Sequence, residues 1–114
     1  MRALLTLLLL CPAIAHAADI FLEIKIIKCE SSFREEVWGD DRKSYGLAQF
    51  RKATFYEFAA ASIKDGTWNH KVLGAPNIKN SQQQMFLLDW GINKGYGRRW
   101  TCYRKIKGDR NAKN

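Results

Sequence analysis

A glutamate at the end of an apolar helical pattern is the residue best placed for acid–base chemistry in this chain. Ile20, Ile24 and Ile27 recur with helical spacing, and the same face continued by three residues reaches Glu30. A carboxyl on an apolar face loses water, which disfavours its anion and raises its pKa. An acid that stays protonated near neutral pH can donate its proton to a leaving group. The alternative is that Glu30 merely ends the helix at the surface, since most acidic residues are solvated.

Four short motifs follow one another in a recognisable order. They are Glu30-Ser31, Trp38-Gly39-Asp40, Gly46-Leu47-Ala48-Gln49 and Thr54, the last at the start of a helix. This order resembles the lytic transglycosylase and goose-type lysozyme superfamily over about residues 22–62, with a weaker echo in 81–103. The resemblance implies an all-α, lysozyme-like domain, with at most a tiny hairpin near 36–45.

The resemblance also assigns roles to individual side chains. It implies that Glu30 is the catalytic acid, that Gln49 belongs to a motif packed beside the cleft, and that Asp40 helps to hold a water. The family often has a tyrosine-containing turn after its last core helix, and Tyr96 is the candidate for it here. Trp38 and Tyr45 are the aromatic residues of the predicted cleft rim.

Those two aromatic residues have two interpretations. Aromatic rings cover the flat apolar faces of sugars well, so Trp38 and Tyr45 are candidate substrate-binding residues. Aromatic rings also dominate protein cores, so both side chains can equally be packing residues.

The chain departs from the family pattern in ways that bear on the reaction. Ala48 stands where the family usually has Met, and Arg51 stands where goose-type enzymes carry a further Asp. Residues 39–41 fill the region where many transglycosylases place cleft serines. Inverting hydrolysis needs two carboxyls with a water between them. Asp40 keeps hydrolysis open, but the absent second Asp favours transglycosylation.

The first 17 residues read as a secretory signal peptide. Arg2 is followed by an almost wholly apolar run, and Ala15-His16-Ala17 is a small-x-small cleavage signal. The run is too short for a comfortable membrane span, which needs about 20 residues. Cys11 raises a lipoprotein alternative, although Leu10 before it is larger than such sites prefer. We therefore expect an exported chain, secreted or periplasmic, without a stable membrane anchor.

The mature chain, residues 18–114, is predicted to be one monomeric domain with a core over about 19–103 and a basic tail over 104–114. The full sequence has 19 Lys and Arg against 11 Asp and Glu, so loss of Arg2 leaves a net charge of about +7. Such a charge favours polyanions, of which the cell wall is the one at hand outside the cytoplasm. Nucleic acid competes as a partner, but no arginine-rich helix, zinc spacing or RNP-like strand supports it.

Two cysteines remain after signal cleavage, Cys29 and Cys102. An even count in a small exported domain predicts a disulfide between them. It would close a loop of about 70 residues and stabilise the fold by roughly 4 kcal/mol in the chain-entropy model. Two reduced thiols are the alternative. A catalytic cysteine is not supported, since His70 is the only mature histidine and no triad surrounds it.

Capping patterns predict where the helices begin and end. Asp19 is expected to cap the first helix, which runs to about Cys29. Thr54 to Glu57 and Ser81 to Gln84 both fit the capping box, and Gly95 fits the C′ position that ends the second of these helices.

The resemblance therefore implies a peptidoglycan-cleaving muramidase, a lytic transglycosylase that cuts the β-1,4 bond between N-acetylmuramic acid and N-acetylglucosamine with Glu30 as general acid and base, and with neither a cofactor nor a metal. Its product would be a 1,6-anhydro end, and goose-type hydrolysis is the alternative within the same class. The alternative from another class is a non-catalytic cationic protein that binds the wall or kills bacteria through its charge.

Overall fold

Helices make up more than half of residues 20–108, the part of the chain that the computed structural model describes. In chain order the elements are α1 (20–31), β1 (Trp38–Gly39), β2 (Ser44–Tyr45), β3 (Phe50–Arg51), α2 (Lys52–Lys64), α3 (His70–Leu73), α4 (Ser81–Asn93), a 3-10 turn (Gly97–Arg99) and α5 (Thr101–Ile106). The predicted signal peptide, Asp19 and the end of the basic tail lie outside the described residues. No helix within 20–108 combines the length and the apolar character that crossing a bilayer requires.

The expected hairpin is present and is extended by a third strand. Strand β2 pairs antiparallel with β1 and with β3, so that Tyr45 lies between Trp38 and Phe50 across the sheet. The third strand was not predicted from the sequence. The prediction of a mostly helical chain with a small hairpin is thus confirmed, with one strand added.

Helix α1 buries a different stripe from the one that the isoleucines indicated. Ile20 and Ile24 are exposed, whereas Ile26 is fully buried beside Ile27. The buried stripe runs at helical spacing through Glu23, Ile26, Ile27 and Ser31. Ile27 belongs to both stripes, and for that reason the extrapolation to Glu30 still reaches the buried side. The helix also continues through Ser31, beyond the predicted end at Cys29.

Neither predicted capping box is formed. Helix α2 begins at Lys52 with Arg51 as its N-cap, which makes no side-chain cap bond, so Thr54 lies inside the first turn. Glu57 forms an ion pair with Arg99 at 3.2 Å instead of serving as a cap partner. A helix is present where the capping box predicted one, but α2 begins at Lys52, before the predicted cap residue Thr54.

Helix α4 is also capped one residue earlier than predicted. Asn80 is its N-cap, and its side chain accepts a hydrogen bond from the N–H of Gln83. Gly95 follows the helix with a φ of +90°, as its predicted C′ role requires. Between α2 and α4 the chain forms one short helix, α3, which begins at His70.

An aromatic cluster forms the centre of the core. Phe50 of β3 packs edge-to-face against Phe55, Phe58 and Trp100. The indole N–H of Trp100 donates to the carbonyl of Ala48 at 2.9 Å, which joins the C-terminal segment to the turn before β3. A glycine is needed at position 91, because a Cβ there would press on Phe58 and Trp100.

Two buried glutamines on α4 hold the loops around the core. Gln84 donates to the carbonyls of Tyr45 and Ile78 and accepts from the N–H of Ala48, at 3.0, 2.7 and 3.0 Å. Gln83 donates to the carbonyls of Leu73 and Ala75 and accepts from the N–H of Asn77. These side chains satisfy backbone groups that would otherwise be buried without partners.

We expect Gln84→Met to lower the free energy of unfolding by about 3 kcal/mol, because three buried backbone groups lose their partner at roughly 1 kcal/mol or more each. Gln82→Met is the matched control, since Gln82 lies two positions earlier in the same helix and is exposed. Urea denaturation of both variants measures the difference. Equal stabilities would contradict the structural role of Gln84.

Candidate active site

A groove of about 240 Å³ opens beside the C-terminal end of α1. It brings together four parts of the chain: the end of α1, the β1–β2 hairpin, the turn and strand up to the start of α2, and the segment running into α5. The residues that line it are Glu30, Asp40, Ser44, Gln49, Phe50, Arg51, Thr54, Arg99, Trp100, Thr101 and Arg104. Three of the predicted site residues, Glu30, Asp40 and Gln49, therefore meet in one place.

Glu30 is half-buried in the wall of this groove. Its Oε2 accepts a hydrogen bond from the backbone N–H of Cys102 at 3.2 Å. Cys102 is the second residue of α5, where an N–H has no acceptor within its own helix. The Glu30 carboxyl therefore has one fixed hydrogen-bond donor, a backbone N–H that lies 72 positions later in the sequence.

The predicted disulfide between Cys29 and Cys102 is present, with the two Cα atoms 5.9 Å apart. One half-cystine precedes Glu30 in the chain, and the other supplies the N–H that the carboxyl binds. The bridge thus fixes the acid and its hydrogen-bond donor to each other.

The surroundings of Glu30 raise its pKa above the ordinary glutamate value. Burial is the largest cause, since it penalises the charged form, and the nearby negative charge of Asp40 acts in the same direction. The N–H of Cys102 and the positive charges of Lys105 and Arg104 oppose the shift, but burial outweighs them. The groove therefore contains an acid that holds its proton more tightly than a solvated glutamate does.

Asp40 reaches the groove from the tip of the hairpin. Its Oδ2 accepts a hydrogen bond from the hydroxyl of Ser44 at 3.1 Å. Three successive residues, Asp40, Asp41 and Arg42, have φ values of 49°, 56° and 68°. Such a run without glycine is uncommon and is held here by bonds from the N–H of Lys43 to the carbonyls of residues 39 and 40.

Gln49 links the hairpin to the turn before β3. Its amide donates to the carbonyls of Val37 and Gly46 at 3.1 and 2.9 Å, while its own φ is +50°. A Cβ at Gly39 would collide with the Gln49 amide, so the hairpin needs glycine there. Gln49 therefore lines the groove and at the same time fixes its rim.

The predicted aromatic binding residues are not among the lining residues. Tyr45 is buried, and Trp38 lies against it with ring centroids 4.8 Å apart and about half of its surface exposed. Tyr96 packs against Phe58 and has the Arg99 guanidinium 5.3 Å from its ring. The packing interpretation fits Tyr45, and sugar binding by Trp38 and Tyr96 remains a prediction.

The sequence did not predict the three arginines of the groove as site residues. Arg99 and Arg104 were not named, and Arg51 was named only because goose-type enzymes have an Asp at that position. A signal existed: Arg99 and Arg104 flank Cys102, and the predicted disulfide brings that segment to Glu30. Among residues 20–108 no group of three or more His, Cys, Asp or Glu is placed to hold a metal ion.

Comparison with protein-family models, with curated proteins and with solved structures finds no match to this chain.

Glu30→Gln tests the burial of the carboxyl through the pH dependence of stability. Because the pKa of Glu30 is raised in the folded state, the folded chain binds the proton of this carboxyl more tightly than the unfolded chain does. The parent should therefore lose stability as the pH rises from the ordinary glutamate pKa through the pKa of Glu30 in the folded state. Glu30→Gln has no carboxyl at this position and should not show this loss. Urea denaturation at several pH values measures the gain of Glu30→Gln over the parent, which should grow across this window.

Glu36→Gln is the matched control for that series, since Glu36 lies in the loop after α1 and is exposed. Its difference from the parent should stay flat across the same pH range. If Glu30→Gln gave an equally flat difference, the raised pKa would be contradicted.

Proposed function

We propose that this protein cleaves the β-1,4 bond between N-acetylmuramic acid and N-acetylglucosamine in peptidoglycan, with Glu30 as the proton donor. The observation that carries the proposal is the half-buried carboxyl of Glu30, with a raised pKa, in the wall of an open groove that also holds Asp40. Perturbed carboxyls in clefts are characteristic of acid–base catalysis. The resemblance to the lytic transglycosylases and goose-type lysozymes, with their lysozyme-like fold, supplies the substrate class.

The reaction would use Glu30 twice. Glu30 first gives its proton to the glycosidic oxygen, so that the bond to the anomeric carbon breaks and the leaving sugar departs with a hydroxyl. The positive charge that develops on the remaining sugar is steadied by its own N-acetyl group, as the resemblance implies. The Glu30 carboxylate then removes the proton from the nucleophile that attacks the anomeric carbon, which restores the acid.

The nucleophile decides the product, and we favour the 6-hydroxyl of the same muramic acid. Its attack gives a 1,6-anhydro end, whereas attack by water gives a reducing end. Either Glu30 or Asp40 could activate that water, and the inverting route in particular would need Asp40 as a second carboxylate. Arg51, which lines the groove where goose-type enzymes have a further Asp, makes the site poorer in carboxylates and favours the anhydro outcome.

A non-catalytic cationic wall-binding protein is the competing function. The arginines that line the groove, Arg51, Arg99 and Arg104, would attract a polyanion with or without catalysis. The two functions separate at Glu30, since charge-driven binding does not need that proton.

Glu30→Gln should lower the rate of wall lysis by at least about 100-fold, the loss expected when a general acid is removed. Gln keeps an oxygen that can accept the N–H of Cys102, so the far-UV circular dichroism should be unchanged. Glu36→Gln is the control with the same change of charge and should keep full activity. Release of dyed fragments from purified peptidoglycan measures the rate, and undiminished lysis by Glu30→Gln would exclude the proposed mechanism.

Mass spectrometry of the released muropeptides separates the two products. We expect fragments one water lighter than the reducing-end products, because the anhydro ring forms without added water. Reducing ends alone would show that the enzyme is a hydrolase and that the choice of nucleophile proposed here is wrong.

Asp40→Asn should reduce the rate of anhydro product formation by less than about tenfold, since Glu30 alone transfers the protons in that reaction. A hydrolase that depends on Asp40 to activate water would instead lose about 100-fold or more. The same dye-release and mass-spectrometric assays decide between these results. Asp41→Asn is the matched control, because Asp41 is an exposed neighbour that does not line the groove.

A further inference from the structure

Three arginines from separate parts of the chain line the groove beside Glu30. Arg51 comes from β3, Arg99 from the 3-10 turn and Arg104 from α5. Against them the lining has two carboxyls, Glu30 and Asp40, and the first has a raised pKa. With Glu30 protonated, the lining of the groove carries three positive charges and one negative charge, and Glu57 outside the lining offsets part of the charge of Arg99. A positive excess remains, which a neutral sugar chain would not need.

Arg99 is held in place by contacts on several sides. Its Nη1 pairs with Glu57 at 3.2 Å, and its guanidinium lies 5.1 Å from the ring of Phe58 and 5.3 Å from that of Tyr96. A fixed guanidinium loses less side-chain entropy when it binds a ligand. This arginine is therefore suited to recognition rather than only to solubility.

Arg104 has incomplete hydrogen bonding within the protein. Its Nη2 donates to the hydroxyl of Thr101 at 3.1 Å, while its Nε–H is enclosed and finds no acceptor among residues 20–108. No ion pair joins Arg104 to Glu30 or to Asp40 within that range. The enclosed Nε–H is not open to a ligand, but the side chain as a whole is half-buried, and a partly desolvated guanidinium gains more from an anionic acceptor than a fully solvated one does.

We propose that Arg51, Arg99 and Arg104 form a carboxylate-binding wall of the groove, so that the substrate is a glycan strand bearing carboxylates close to the bond that breaks. This rests on the proposed function for the sugar part of the ligand, whereas the anionic part follows from the arginines. Guanidinium groups bind carboxylates through paired N–H···O bonds, which neutral sugar hydroxyls cannot match. The carboxylate is either a carboxyl of the attached peptide or, on muramic acid units without a peptide, the free lactyl carboxylate.

Such binding would also act on the acid. The positive charge of Arg104 lowers the pKa of Glu30, in opposition to burial. A carboxylate bound to Arg104 would cancel part of that charge, and Glu30 would hold its proton more tightly while substrate is present. Binding of the charged strand would then itself favour the protonated form of Glu30, which is the form that donates the proton.

The test is a binding measurement with the full chain carrying Glu30→Gln, which prevents turnover. Tryptophan fluorescence is titrated with soluble glycan strands that carry peptides, with the same strands after their carboxyls are converted to neutral amides, and with strands stripped of peptides so that only lactyl carboxylates remain. We expect the amidated strands to bind about tenfold more weakly, the order of one charge-assisted pair. The stripped strands distinguish a lactyl from a peptide carboxylate.

Arginine variants locate the effect. Adding Arg104→Gln or Arg51→Gln should reduce the preference for the charged strands severalfold. Because Arg51 is exposed, Arg51→Gln still tests the wall if Arg104→Gln does not fold. Lys79→Gln removes one positive charge at an exposed position outside the groove lining and should leave the preference unchanged.

Two outcomes would overturn the carboxylate-binding wall. The first is equal binding of charged and amidated strands, which would show that the arginines do not recognise a carboxylate. The second is an equal loss of the preference in Lys79→Gln, which would show that the preference comes from overall charge. The proposed function fails separately. A parent protein that releases no fragments from peptidoglycan but still prefers charged strands would refute the enzyme and keep the wall, whereas equal cleavage of charged and amidated strands would refute the wall and keep the enzyme.

Discussion

The hydrogen bond from the Cys102 N–H to the Glu30 carboxyl is the contact on which the site depends. It joins α1 to α5 at a point where the sequence separation is large, and the disulfide beside it prevents the two helices from moving apart. Without that contact the carboxyl would have no fixed donor, and rotation into water would undo the burial that raises its pKa. The covalent bridge thus acts on the electrostatics of a neighbouring side chain as well as on the entropy of the unfolded chain.

The opposite wall of the groove is held by amide side chains. Gln84 of α4 secures the turn between β2 and β3, and Gln49 within that turn secures the hairpin. Each link satisfies backbone groups that loops this close to the core cannot expose to water. Because Asp40 lies at the hairpin tip, its position relative to Glu30 is set by these two glutamines.

Local chemistry made part of the site predictable from the sequence. Glu30 was placed on the buried side of α1 because Ile27 belongs to both the predicted and the observed stripe, and the cystine followed from the even cysteine count alone. The predicted caps at Thr54 and Ser81 were wrong because Arg51 and Asn80 are the N-cap residues of those helices. The predicted cap partners Glu57 and Gln84 bond to other groups. The Glu57–Arg99 pair and the Gln84 bonds join distant positions, so no pattern within one segment could have shown them.

The groove collects residues from position 30 to position 104, which has a consequence for the order in which the site can form. A chain growing on the ribosome displays Glu30 early, yet its N–H donor, its cystine partner and two of the three groove arginines are all made after residue 98. A nascent polypeptide that ends before that segment carries the acidic residue on α1 without the surroundings that shelter it. The shelter of the acid therefore requires the segment that forms α5.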